Sequence, residues 1–117
     1  MGRWICLKAG VTFPNKFQAI ATLYATRPIS ETEDSPHREL NKLQGGVSSG
    51  WAELDHLSPP DMVRKFENLI EHEKVDYRGV IHDGIEHGCA LPDRDIYSPE
   101  TAAQDWEQIL TPYRDCL

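Results

Sequence analysis

The run His82-Asp83-Gly84-Ile85-Glu86-His87-Gly88-Cys89, followed by Asp93 and Asp95, places seven potential ligand or acid–base side chains within fourteen residues. Gly84 and Gly88 permit the tight backbone that converging side chains need, and loops are where a rigid scaffold displays such groups. Two imidazoles and a thiol can hold a soft or borderline metal, carboxylates can hold a hard one, and histidine beside a carboxylate can move protons.

For calcium the donors must be oxygens, and Asp83, Glu86, Asp93, Asp95 and Glu100 supply them. Tyr97 and Ser98 stand where an EF-hand loop needs a ligand and a glycine, so the expectation is a non-EF-hand site over residues 83–100. Zinc ranks behind calcium. His82, His87 and Cys89 give three donors and Cys116 or His72 a fourth, but no Cys-x-x-Cys or His-Glu-x-x-His is present. An enzyme would use His82, Asp83 and His87 as acid and base. Against it, the chain has no Gly-x-Ser-x-Gly elbow, and Cys89 lies only two residues from His87. Glycine-rich phosphate-binding patterns are absent too, and no motif carries a family resemblance.

Charge points elsewhere. Of 117 residues, 12 are basic and 19 acidic, and residues 1–30 hold four of the basic ones and no acid. An acidic body repels nucleic acid and steers toward basic protein surfaces. Four scattered cations do not make a phosphate-binding stripe. The first functional expectation is therefore a small acidic interaction protein of immunity-protein, inhibitor or anti-defence type. It would bind a larger basic protein through Glu31, Glu33, Asp34, Glu67, Glu71 and Glu73. A calcium sensor or buffer is the alternative, and no resident cofactor is expected. Three scattered cysteines, the absence of a secretory signal and the lack of any long apolar run favour a cytoplasmic protein with no membrane contact. Trp4, beside Arg3, is a candidate interface anchor.

The elements that must position these groups read as one compact α+β domain over 1–117, with three to four helices and a short two- or three-stranded sheet. Ser58-Pro59-Pro60 opens a helix over 59–73, on which Met62, Val63, Phe66, Leu69 and Ile70 recur at three- and four-residue spacing. Asp61 forms a near capping box with Ser58. Ser98-Pro99 opens another, with Ala102, Ala103, Trp106, Ile109 and Leu110 inward, Asp105 outward and Pro112 as its stop. Ser35-Pro36 opens a short one carrying Leu40 and Leu43, and a helix is favoured from Asn15 to Tyr24, with alternation leaving a strand open. Strands are expected over Arg3–Ala9, Val75–His82 and Trp51–Leu57, and loops over 30–35 and 45–50.

Overall fold

The structure, a computed structural model, describes the backbone of residues 3–116 and the side chains of residues 5–115. In chain order it forms α1 (Arg3–Thr12), β1 (Ala19–Leu23), β2 (Gly46–Ala52), α2 (Pro60–His72), β3 (Tyr77–His82) and α3 (Pro99–Cys116). The strands make one parallel sheet in the order β1-β2-β3. Ala19 pairs with Gly46 at one end and Ala52 with His82 at the other. Parallel pairing brings the chain out of all three strands along the same edge, and in open α/β sheets ligands bind outside that edge.

A parallel strand with cover on both faces loses the alternation of a half-exposed one. Val47 to Ala52 are accordingly all buried. Thr22 and Ser49 satisfy each other across β1 and β2 at 2.9 Å, which lets hydroxyl side chains occupy the interior. On one face α2 delivers Val63, Phe66 and Ile70 with no exposed surface, and the Phe66 ring meets Trp51 and Tyr77 edge-on at 5.8 and 6.2 Å. Leu7 and Val11 of α1 join the same core with Ile20, Leu40, Leu43 and Val47.

The helix count, the three-stranded sheet, α2, β3 and the start of α3 agree with the sequence. Several details do not. Residues 3–9 are helical because Leu7 and Val11, one turn apart, share a buried face, and Gly10 leaves no room for a Cβ against Ile20. The favoured 15–24 helix is instead β1, in which Ile20 and Thr22 point into the core. The expected loop over 45–50 is the central strand, and the 51–57 strand shares only Trp51 and Ala52 with β2. Ser35-Pro36 opens two short 3-10 turns instead of a helix, although Leu40 and Leu43 are buried as expected. Ser58 caps nothing: its hydroxyl donates to the Ala25 carbonyl at 2.6 Å and accepts the Arg27 N–H at 2.8 Å. On α3 Pro112 is carried inside the helix, Trp106 is 52% exposed, and Asp105 is the residue turned inward. Trp4 and Cys116 lie outside the described side chains. No helix among the described residues is long and apolar enough to cross a membrane.

Candidate active site

Three side chains gather where the chain leaves the strands: Tyr24 after β1, Asp55 after β2 and His87 after β3. Asp55 is 2% exposed. One carboxylate oxygen accepts the Leu57 N–H at 2.9 Å, closing a tight turn, and the other meets His87 Nδ1 at 2.5 Å. A carboxylate only accepts, so Nδ1 carries the proton. With Nδ1 donating to Asp55, Nε2 is the ring nitrogen that can take up a proton.

The His87 loop is shaped by Gly88, whose φ of +90° suits glycine, and tied down where the Ser98 N–H reaches the Cys89 carbonyl at 2.9 Å. A Cβ at Gly88 would meet the Arg94 guanidinium at 3.6 Å, so this cation lies along the loop. Leu23, Tyr24, His87, Ala90, Leu91 and Arg94 line a cavity of about 250 Å³. Its walls are largely apolar, with one imidazole and one guanidinium, a composition suited to orienting an organic substrate.

Behind His87 lies a second histidine–aspartate pair, fully enclosed. His82 Nε2 stands 2.7 Å from Asp105 Oδ1, the Tyr24 hydroxyl donates to Asp105 Oδ2 at 2.6 Å, and Cys89 Sγ lies 2.9 Å from the same hydroxyl. Burial, followed by the Asp105 hydrogen bond, pushes the Tyr24 phenol well above its ordinary value. Burial likewise raises the Cys89 thiol, which therefore stays protonated and inert as a nucleophile. Both groups hold their protons more tightly when folded, so their stabilising contribution is complete below the ordinary thiol value of 9.0 and is lost as pH rises above it. The melting temperature should fall from pH 9 to 11, and Cys89→Ala should flatten the first part of that fall. An unchanged slope in the variant would show that the thiol does not contribute.

The loop residues expected to bind metal do not converge. Asp83, Glu86, Asp93, Asp95 and Glu100 are all exposed, and among the described residues no group of three or more His, Cys, Asp or Glu is placed to hold an ion. His82 and His87 pair with different aspartates, Cys89 meets Tyr24, and His72 is exposed at the end of α2, so the zinc set is not assembled either. Of the acidic surface, Glu31, Glu33, Asp34, Glu71 and Glu73 are exposed, whereas Glu67 is half-buried and accepts the Tyr77 hydroxyl at 2.9 Å. Of the acid–base trio, His87 keeps such a place, with Asp55 and not Asp83 as its partner. Asp55, Tyr24 and Asp105 had no signal of their own. The available clue was the chain order of aspartate then histidine, each just beyond a strand, which is how the later members of one hydrolase triad are arranged.

The parallel sheet and its helices match a fragment of the α/β-hydrolase fold, with Asp55 and then His87 beyond its C-terminal edge. Within that class, the dienelactone hydrolase family model matches residues 1–116, and the chain belongs to this family. A Klebsiella pneumoniae protein described as a dienelactone hydrolase superposes with a TM-score of 0.84 at 19% identity, over 97% of this chain and 48% of its own. A dienelactone hydrolase-like promiscuous phosphotriesterase from metagenomic libraries gives 0.76 at 16% identity, over 96% and 47%. Esterase 2 of Thermogutta terrifontis gives 0.66 at 15% identity, over 82% and 41%. The chain thus spans about half the length of the first and second of these structures. No curated protein matches it in sequence. Membership of a hydrolase family overturns the expectation of an inhibitor or immunity-type protein, and that of a calcium sensor or buffer.

Proposed function

We propose that Asp55 and His87 are the acid–base pair of an ester- or lactone-hydrolysing site. The carrying observation is the 2.5 Å bond from His87 Nδ1 to a buried carboxylate, at the strand edge and beside a cavity. In this reading His87 Nε2 removes the proton from an oxygen or sulfur nucleophile as it attacks the acyl carbon. The same proton passes to the alkoxide when the ester C–O bond breaks, and a second round with water releases the acid. The described lining of the cavity contains no Ser or Cys, so the nucleophile comes to His87 from outside that lining. In the Ser-Asp-His order it precedes Asp55 in the chain. Arg94 along the wall favours a substrate that carries a carboxylate.

Because the pair can act on a supplied nucleophile, the test is acyl transfer from p-nitrophenyl acetate to 2-mercaptoethanol and to water. The protein should exceed its His87→Ala variant by at least about 100-fold, the scale of positioned general-base catalysis. Equal rates in the two proteins would remove the assignment.

A further inference from the structure

We infer that Asp105 and Tyr24 are positioning residues that hold the His87 imidazole on Asp55 from behind. This rests on the reading of Asp55 and His87 as the acid–base pair. Asp105 is 1% exposed and draws two distant parts of the chain to one carboxylate. His82, the last residue of β3, reaches one oxygen, and Tyr24, just past β1, reaches the other. Proton bookkeeping fixes the direction of the chain. The carboxylate only accepts, so the single phenolic proton points to Asp105, and across the 2.9 Å contact the Cys89 thiol donates to Tyr24 Oη. Cys89 stands two residues beyond His87, so this donation pins the main chain that carries the imidazole.

Tyr24 acts a second time through its ring, whose centroid lies 5.9 Å from that of His87. His87 is thus held at Nδ1 by Asp55, on its ring by Tyr24, and along its backbone by Cys89. Two further features show that the neighbouring structure is shaped around Asp105. A Cβ at Gly50 would lie 2.5 Å from Asp105 Oδ1, so the central strand needs glycine where the carboxylate rests. Tyr24 itself adopts a φ of 55°, a left-handed conformation that a bulky residue rarely takes, with its N–H fixed to the Gly50 carbonyl at 2.8 Å. Apolar residues could fill this volume without burying a carboxylate, whereas fully satisfied polar networks specify one arrangement.

Tyr24→Phe keeps the ring and removes the hydroxyl that joins Asp105 to Cys89, and Asp105→Asn changes the hub. The readout is the His87 Nδ1 proton by NMR, assigned by its loss in His87→Ala, together with kcat and KM for acyl transfer to 2-mercaptoethanol. Tyr24→Phe should still melt cooperatively, yet exchange the Nδ1 proton at least about tenfold faster and lose about tenfold in kcat with KM unchanged. An Nδ1 proton that exchanges as in the parent protein would overturn the proposal even if the melting temperature drops, since that is a purely structural effect. So would a parent protein whose Nδ1 carries no protected proton. If Asp105→Asn fails to fold, Tyr24→Phe decides alone. If His87→Ala retains full acyl transfer, the acid–base reading has failed, while the exchange comparison still reports whether Tyr24 holds the imidazole.

Discussion

Asp55→Asn should fold and lose nearly all acyl transfer that depends on His87. The substitution is isosteric, and the oxygen that accepts the Leu57 N–H can be kept, so the turn after β2 survives. What changes is the group facing His87 Nδ1, where an amide NH2 now stands in place of an acceptor. A donor there leaves Nδ1 to accept, which moves the ring proton to Nε2 and removes the lone pair that takes the nucleophile's proton. In a serine-protease triad the same exchange lowers kcat on the order of 10⁴-fold through this wrong tautomer. Here the loss is bounded by what His87 contributes, so Asp55→Asn should fall to the level of His87→Ala, about 10²–10⁴-fold below the parent protein. Initial rates from pH 6 to 9, with melting curves as the control for folding, check it. A variant within twofold of the parent would show that the bond to Asp55 does not set the tautomer of a working base.

Asp55 and His87 are 32 positions apart, and no spacing rule joins them. They meet because β2 and β3 are parallel neighbours with Ala52 opposite His82, so the loops leaving both strands start side by side. That register was not legible, since β2 reads Gly-Val-Ser-Ser-Gly-Trp-Ala, the composition of a turn. Its glycines and serines belong to a buried strand only because Asp105 rests on Gly50 and Thr22 satisfies Ser49, both contacts with distant residues. The amphipathic period of α2 needed no such partner and was legible, as was the half-buried strand ending at His82. On α3 the same reasoning failed at one step. The apolar weight of Trp106 pulled the inferred face away from Asp105, whose burial depends on His82 and Tyr24 being there to bond it. Acidic loop residues drew attention because ligand-like side chains stood close in sequence. Of the pairs that did form, one takes His87 from that loop and the other His82 from the end of β3, each with an aspartate from elsewhere in the fold.

Phe66 carries the other large expectation, and it concerns the helix that joins the Asp55 turn to β3. It stands at the centre of the α2 contact with the sheet, with no exposed surface, between Trp51 of β2 and Tyr77 of β3. Truncating a buried phenylalanine to alanine removes its transfer free energy and leaves a cavity, together costing about 3–5 kcal/mol. The two edge-on ring contacts place this site at the upper end of that range. Domains of this size are stable by only about 5–15 kcal/mol, so Phe66→Ala consumes a third or more of the total and should be partly unfolded at moderate urea. Phe66→Leu keeps most of the volume and should cost no more than about half as much. Urea unfolding of the three proteins, compared by midpoint at constant slope, measures the difference. A loss below about 1 kcal/mol in Phe66→Ala would mean that the sheet closes over the gap. Since α2 runs directly from the Asp55 turn to β3, that closure would shift Asp55 relative to His87 and should then appear as lost acyl transfer in a protein that is still stable.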